Sequence, residues 1–133
     1  MIIPADDKKH RGGEDSADAD DTLLVVADGV GGWATQGVNP GLFSAELTAS
    51  MLRYHQESHE MTPYELGQKA CPEAGSKFDG SATLVALGLA DHETVNTMNL
   101  GDSGYALYHT TEDDHLEMYY RSKSQQKMFN FPY

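Results

Sequence analysis

Residues 23–33, with the sequence LLVVADGVGGW, are the most informative stretch of this chain. An apolar run ends there at a single carboxylate, Asp28, and glycines follow at positions 29, 31 and 32. A short apolar run bounded by glycine is typical of a strand in a covered sheet. We therefore expect Asp28 at the exit of a strand, where the glycines permit a tight turn and the close approach of a ligand or metal. A carboxylate beside an exposed backbone carbonyl can present oxygen ligands to a hard cation.

The composition narrows the class of protein. The length of 133 residues predicts one domain, and the 39% share of hydrophobic residues is enough for a modest core. The net charge of −12 argues against a nucleic-acid partner, because phosphates require clusters of lysine and arginine. It also argues against an anionic membrane surface. An acidic excess is compatible with a solvated surface and with a site that gathers carboxylates around divalent cations.

The cysteine count and the hydropathy pattern bear on the compartment. The single cysteine, Cys71, excludes an intrachain disulfide and is typical of a reducing compartment. No apolar run approaches the roughly 20 residues of a membrane-spanning helix, so no membrane insertion is expected. The N-terminus lacks the apolar segment of a signal peptide and the arginine-rich character of a mitochondrial presequence. We therefore expect an intracellular protein.

The hydrophobic pattern predicts an α+β fold in which an antiparallel sheet carries helices on one face. Residues 1–12 are polar and are expected to be loose. Asn39 is a good N-cap and Pro40 a good first helical residue, and apolar residues then recur at helical spacing, which predicts a helix over Pro40–Glu57. A short second helix is expected over 63–70 and a loop over 72–80. The predicted strands span 13–18, 22–28, 81–90, 94–100, 105–109 and 116–122.

Three aspartates stand out by their setting: Asp15 follows Gly-Gly-Glu, Asp28 ends the apolar run, and Asp102 lies in Gly-Asp-Ser-Gly. In an antiparallel hairpin of strands 13–18 and 22–28, Asp15 and Asp28 can lie near each other at the same end. Two close carboxylates repel unless a proton or a cation lies between them. Ligation by oxygen alone selects Mg²⁺, Mn²⁺ or Ca²⁺ over zinc. The alternative is that each aspartate is an ordinary turn residue, since Asp-Gly is common in turns.

Four motifs and the last residues of the chain stand out together. They are Gly13-Glu14-Asp15, Val26-Ala27-Asp28-Gly29-Val30-Gly31-Gly32-Trp33, Gly80-Ser81-Ala82-Thr83, Asn99-Leu100-Gly101-Asp102-Ser103-Gly104 and, in the tail, Arg121-Ser122, Gln125-Gln126 and Phe129-Asn130-Phe131-Pro132-Tyr133. In this order they resemble the metal-dependent type 2C Ser/Thr protein phosphatases over residues 13–133. The tail and the Val-Gly-Gly-Trp segment look like the small branch of that family that is often found in mitochondria.

The resemblance implies a partial αββα sandwich of antiparallel sheets with flanking helices, in which two metal ions lie at one end between the sheets. It implies that Asp28 bridges both metals and that the carbonyl of Gly29 binds one of them. Asp15 would hold metal-bound water, and Asp102 would belong to an additional metal near the site. The implied reaction is hydrolysis of phosphoserine and phosphothreonine in a phosphoprotein, by water that two Mg²⁺ or Mn²⁺ ions activate, with Asp28 and Asp15 catalytic.

The family domain continues past residue 133 with further metal ligands, an Asp-Gly motif and a late aspartate. We therefore expect residues 13–133 to correspond to the N-terminal half of a type 2C phosphatase domain, with little or no activity alone. The alternative is an inactive, phosphatase-like binding module for phosphoproteins or another partner. A third expectation is that half of a sandwich leaves an apolar sheet face bare and folds poorly alone.

Several further residues invite a functional interpretation. Arg11 lies near the place where an arginine grips the substrate phosphate in parts of the family, although its spacing is slightly off and the alternative is a surface arginine. His55 and His59 are four residues apart on the predicted helix, where a solvated face is favoured over a metal site. Trp33 is expected to anchor its loop against the core. Ser103 lacks a Gly-x-Ser-x-Gly elbow and a partner histidine, which argues against a serine hydrolase.

Overall fold

A computed structural model describes residues 2–128 and 131–132 of the chain. It confirms the predicted α+β class, because within these residues two strands precede two helices and six strands follow them. The elements in chain order are β1 (Asp15–Ala19), β2 (Leu23–Asp28), α1 (Pro40–Glu57), α2 (Pro63–Lys77), β3 (Leu84–Leu89), β4 (Val95–Leu100), β5 (Ala106–Thr110), β6 (Leu116–Arg121), β7 (Gln126–Met128) and β8 (Phe131–Pro132).

The first four strands form one antiparallel sheet in the order β1-β2-β3-β4. The predicted hairpin of β1 and β2 is confirmed, and its register places Asp15 directly opposite Asp28. The connecting turn is held by Asp20, whose Oδ1 accepts hydrogen bonds from the backbone N–H groups of Thr22 and Leu23, each at 2.8 Å. Because this side chain closes the turn locally, it also fixes which residues share an end of the sheet.

Both helices pack on one face of this sheet, α1 against β1 and β2, and α2 against β3 and β4. Helix α1 begins as predicted: Asn39 Oδ1 accepts a hydrogen bond from the backbone N–H of Gly41 at 3.1 Å, and Pro40 lies in the first turn. The buried apolar core between helices and sheet consists of Leu23, Val25, Ala27, Leu47, Met51, Leu66, Ala70, Ala74, Leu84 and Ala86.

Helix α2 is longer than the sequence predicted. The predicted start at Pro63 and the helix over 63–70 are confirmed, but the loop expected over 72–80 is wrong as far as Lys77, because the helix runs from Pro63 to Lys77 with Pro72 inside it. Its start is fixed by a capping box in which the backbone N–H of Glu65 donates to Thr62 Oγ1 while the Glu65 carboxylate accepts from the Thr62 N–H. The burial of further small side chains after Pro72, such as Ala74, favours continuing the helix over ending it.

Two segments expected to be irregular contain short 3-10 helices. Residues 1–12 were predicted to be loose, but Lys9–Arg11 form one such turn, and Lys8 just before it bonds to Glu14. The loop after β2 contains a second, Gly31–Gln36, where Trp33 donates from Nε1 to Ser81 Oγ at 2.9 Å. The contact fits the predicted anchoring role of this tryptophan. The first contact joins residues six positions apart and the second joins residues 48 positions apart, and local composition reveals neither.

The face of the sheet away from the helices is partly covered. Leu107 of β5 lines a cavity of about 250 Å³ on this face with Leu24 and Leu89. Leu24, Leu89 and Val95 nevertheless remain between 40% and 51% exposed. The strands β5 and β6 pair with each other, as do β7 and β8, rather than extending the main sheet. Among the described residues, neither helix is both long enough and apolar enough to cross a membrane.

Candidate metal centre

An acidic cleft of about 460 Å³ opens at the end of the sheet where β2 stops. Its walls come from the exit of β2, the turn after β4 and the N-terminal segment. Three of the four residues expected to bind metal take part directly in lining it. The lining residues are Lys8, Glu14, Asp28, Gly29, Val30, Gly31, Gly32, Thr83 and Asp102.

The fourth predicted residue, Asp15, is not among the lining residues but lies next to one of them, its strand partner Asp28. Residues opposite each other in antiparallel strands point to the same face, so Asp15 and Asp28 both lie on the face away from the helices. Burial first, then a hydrogen bond with Asp15 and the charge of Asp15, and then the charge of Asp102, together raise the pKa of Asp28 to about 6. Asp28 therefore experiences the charges of both other aspartates, and its proximity to Asp15 is the one that the predicted hairpin required.

An ion pair between a buried glutamate and a partly exposed lysine, next to these aspartates, was missed from the sequence. The Glu14 side chain is only 3% exposed, and Lys8 Nζ donates a hydrogen bond to its Oε2. This contact is the main reason why the pKa of the Lys8 ammonium is raised above its ordinary value. Glu14 belongs to a motif that the sequence singled out, but Lys8 carries no local signal, since only the folded N-terminal segment brings it to the cleft.

Gly29 is required by the close packing of the backbone and side chains around it. Its backbone N–H donates to the carbonyl oxygen of Glu14 at 3.1 Å. A Cβ atom at this position would lie 2.3 Å from that same oxygen and 2.7 Å from Ser44 Oγ, closer than real side chains approach. The first glycine after Asp28 thus lets β2 end tightly against the start of β1 and the first turns of α1.

Thr83 joins the exit of β2 to the turn that carries Asp102. Its Oγ1 accepts a hydrogen bond from the backbone N–H of Asp28 at 3.3 Å and lies 2.7 Å from Ser103 Oγ. Its own backbone N–H donates to the Asp28 carbonyl at 2.9 Å. Sequence reasoning recognised Thr83 only as part of a motif, because its partners lie 55 and 20 residues away in the chain.

The oxygen donors of this cleft fit a hard divalent cation in their chemistry. Asp28, Asp15 and Asp102 are carboxylates and Gly29 offers a backbone carbonyl, a set that suits Mg²⁺ or Mn²⁺ better than zinc. Over residues 2–128 and 131–132, no group of three or more His, Cys, Asp or Glu side chains is arranged to hold a metal by itself. The donors are therefore of the chemical type that such a cation prefers. Among the described residues they are only part of the set of ligands that would hold it.

Some of the remaining candidates lie outside the described residues, whereas Ser103 lies within them. The side chain of Arg11 and the tail residues Phe129, Asn130 and Tyr133 lie outside the described residues, so their roles stay predictions. Ser103 is engaged with a threonine hydroxyl rather than a histidine, in keeping with the argument against a serine hydrolase.

The predicted solvated helix face at His55 and His59 is wrong. Helix α1 ends at Glu57, so His59 lies beyond it. His55 is buried, with Nε2 2.8 Å from Thr22 Oγ1, and the two imidazole rings meet edge to face at 4.8 Å. The hydroxyl partner allows an imidazole to be buried there, and periodicity alone could not reveal it.

Comparisons with known proteins show which proteins this chain resembles. No protein-family model matches the chain. A curated relative, "Probable protein phosphatase 2C 80" of Arabidopsis thaliana, is 37% identical over 138 residues, which cover 98% of this chain and 31% of the relative. Another, "Protein phosphatase PTC7 homolog fig" of Drosophila willistoni, is 38% identical and covers 93% of this chain and 41% of its own length.

Two solved structures resemble the fold. The photosystem II phosphatase PBCP superposes with a TM-score of 0.75 at 29% identity, over 100% of this chain and 51% of that one. The PPM Ser-Thr phosphatase MsPP from Mycobacterium smegmatis gives a TM-score of 0.57 at 20% identity, over 84% of this chain and 47% of that one, a likeness of fold alone. The chain spans less than half the length of these curated relatives and about half of each solved structure. Relatives of one kind align along nearly all of its residues, which supports a relationship to the type 2C protein phosphatase family that covers the chain.

Proposed function

We propose that this chain carries part of the active site of a metal-dependent protein Ser/Thr phosphatase, with phosphoproteins as substrates. The observation that supports it most is the register of the first hairpin, which sets Asp15 opposite Asp28 at the edge of a cleft that Asp102 also lines. Relatives named as protein phosphatases support the reaction class.

The charge of the cleft argues that a cation must bind before a phosphate can. Asp28, Asp15 and Asp102 are mutually repulsive, and the one lysine among the cleft-lining residues is already bonded to Glu14. A phosphate group carries up to two negative charges and would be repelled from such a surface. Divalent cations would reverse the sign of the local field and thereby make the cleft attractive to the substrate.

We propose a distinct role for each candidate residue of the site. The carboxylate of Asp28 and the carbonyl oxygen of Gly29 would hold Mg²⁺ or Mn²⁺, with Asp15 supporting from the neighbouring strand and Asp102 at the opposite wall. When bound, such ions supply Lewis acidity that activates water and neutralises the phosphoryl oxygens. Thr83 keeps the backbone of Asp28 in place. Arg11 is retained as a candidate contact to the substrate phosphate.

The proposal also covers the activity of the 133-residue chain by itself. We propose that residues 13–133 correspond to the N-terminal half of the phosphatase domain and that the isolated chain is weakly active or inactive. Support comes from the partial set of donors and from the share of the relatives that the chain spans. Fewer carboxylates hold a divalent cation less firmly, and an incomplete cage positions water less well.

The decisive experiment is a calorimetric titration of the chain with Mn²⁺. We expect Asp28→Asn to weaken Mn²⁺ binding by about tenfold or more, since loss of even an outer-shell partner typically costs 10- to 100-fold in metal affinity. The matched control is Asp113→Asn, the same chemical change at an exposed residue between β5 and β6. Equal affinities of the parent and the Asp28 variant would contradict the proposed centre.

The alternative function, a phosphatase-like binding module, is favoured by the partial donor set alone. It is separated from catalysis by following one phosphoserine peptide in two ways with Mn²⁺ present. Peptide binding seen by fluorescence anisotropy without release of inorganic phosphate supports the binding module. Hydrolysis at the rate of a full-length phosphatase of the family would refute the expected weak activity of this chain.

A further inference from the structure

The turn over residues 101–104, which carries Asp102, is held at both ends by the segment over 122–125. At the distal end, Ser122 Oγ accepts a hydrogen bond from the backbone N–H of Tyr105 at 2.9 Å. The backbone N–H of Ser122 donates in turn to the Tyr105 carbonyl oxygen at 3.0 Å. A single serine thus satisfies both polar backbone groups of the residue that follows the turn.

Gln125 closes the proximal end of the same turn. Its backbone N–H donates to the carbonyl oxygen of Gly101 at 2.9 Å, and its Oε1 accepts from the Gly101 N–H at 3.3 Å. Its Nε2 donates to the carbonyl oxygen of Asn99 at 2.9 Å. One glutamine therefore binds three backbone groups where β4 ends and the turn begins.

The turn also fits closely against the residues on either side. Gly101 has a φ of +101°, a region that favours glycine, and a Cβ there would lie 2.8 Å from Thr83 Cγ2. A Cβ at Gly104 would lie 2.7 Å from Ser122 Oγ. Thr83 is itself hydrogen-bonded to the Asp28 backbone. The turn therefore packs on one side against a residue that contacts Asp28 and on the other side against the 122–125 segment.

We propose that Ser122 and Gln125 are positioning residues for Asp102: they fix the turn so that its carboxylate stays at the wall of the acidic cleft before any ligand binds. The inference rests on the proposed function, because a carboxylate needs such support only if it must meet a cation at a set place. It also gives a physical role to two residues of the tail motif, Arg121-Ser122 and Gln125-Gln126, that the reaction chemistry left unexplained.

Adjacent glutamines provide a matched pair of variants. Gln125→Ala removes two side-chain hydrogen bonds, whereas the exposed neighbour Gln126 makes no side-chain hydrogen bond with the described residues. In hydrogen exchange on the parent chain and both variants, we expect Gln125→Ala to speed exchange of the Gly101 amide by about 3- to 10-fold, the worth of one ordinary hydrogen bond. Gln126→Ala should leave that amide unchanged.

Ser122→Ala tests the other end of the turn independently, so the proposal remains testable if Gln125→Ala does not fold. We expect faster exchange at the Tyr105 amide, whose acceptor is lost. In calorimetry with Mn²⁺, both Ser122→Ala and Gln125→Ala should bind about 3- to 10-fold more weakly than the parent, by the same reasoning about one hydrogen bond.

Each outcome decides something. Unchanged exchange at Gly101 and Tyr105 overturns the proposed support of the turn. Faster exchange with parental Mn²⁺ affinity also overturns the positioning role, since the contacts are then merely structural. If the parent chain binds no Mn²⁺ at all, the proposed function fails, and the exchange data alone decide whether the turn is held by Ser122 and Gln125.

Discussion

Asp28 is placed where its charge costs stability and serves the proposed function. Asp28 is the last residue of β2 and lies opposite Asp15, and Asp102 lines the same cleft. Burial, and then the neighbouring aspartates, raise its pKa from 3.8 to about 6. A folded-state pKa above the unfolded value means that the folded chain binds this proton more tightly. The stability that the folded chain gains from the proton on Asp28 is complete below pH 3.8 and is lost as the pH rises through about 6.

Without metal, Asp28→Asn is therefore expected to raise the thermal midpoint at pH 7 and to make little difference at pH 4. The reason is that the amide removes a repulsion that exists only when the carboxyl is ionised. Melting curves of both proteins between these pH values would measure the difference, which should shrink as the pH falls. A variant that melts below the parent at pH 7 would contradict this account of the site.

The variant must be compared with the parent because other carboxylates change the stability with pH in the opposite direction to Asp28. Contacts with Lys77 first, and then with Tyr54 and Arg53, lower the pKa of Glu73 to about 2. Glu73 thus contributes stability above its unfolded pKa of 4.5 and loses it as the pH falls toward 2. The parent's own pH profile mixes the two effects, whereas the difference between the two melting curves isolates Asp28.

Gly29 gives a second prediction at a single residue. Gly29→Ala should lower the free energy of unfolding by about 1–3 kcal/mol, because its Cβ would strike the Glu14 carbonyl oxygen at 2.3 Å. Gly75→Ala is the matched control, since that glycine is exposed in α2 with no atom near its Cβ, and alanine there should gain about 0.5–1 kcal/mol. Urea unfolding measures both changes, and equal signs would contradict the packing argument.

The single residues that sequence could identify are those whose role follows from their immediate neighbours. Asp28 is marked by the apolar run before it and the glycines after it, and Asp15 by its place in a predicted hairpin. Lys8, Thr83 and Gln125 could not be found in this way. Thr83 and Gln125 act through contacts with residues 20 or more positions away, and Lys8 acts through a contact six positions away that depends on how the N-terminal segment folds. No local pattern encodes these partners.

Among the helices and strands, α2 shows most clearly where local rules fail. Proline has no backbone N–H, so Pro72 removes one helical hydrogen bond, and it lies at the start of the loop that the sequence predicted over 72–80. The capping box at Thr62 and the buried side chains of Ala70 and Ala74 outweigh that loss. By contrast, α1 was predicted with its correct bounds because cap, first-turn proline and apolar spacing all agree.

Pro72→Ala should therefore stabilise the protein, by about 1–3 kcal/mol, since alanine restores the donor and proline is the least favourable residue within a helix. Pro72 is exposed, so little packing is lost. Pro63→Ala is the control: that proline occupies the first turn, where its missing N–H costs nothing, and no gain is expected. Urea unfolding of the two variants would distinguish them, and a loss of stability in Pro72→Ala would show that the proline is needed for packing.

The two faces of the main sheet differ in how completely the chain covers them. One face is sealed by α1 and α2, whereas the other is met only in part by β5. The sequence predicted this asymmetry from the order of elements and from the family resemblance. It could not predict which apolar residues stay exposed, because that depends on the register of β2, β3 and β4 and on how far the β5–β6 hairpin reaches.

Two leucines at opposite ends of β3 test the difference with one chemical change. Leu84→Ala should cost about 2–5 kcal/mol of unfolding free energy, because the side chain is fully buried beneath the helices and its removal leaves a cavity. Leu89→Ala should cost less than about 1 kcal/mol, because this side chain on the other face is already 51% exposed. Urea unfolding with equal slopes for parent and variants would give both values. A large loss in Leu89→Ala would mean that the outer face is covered in solution, and comparable losses at both positions would contradict a chain whose stability comes from one sealed face.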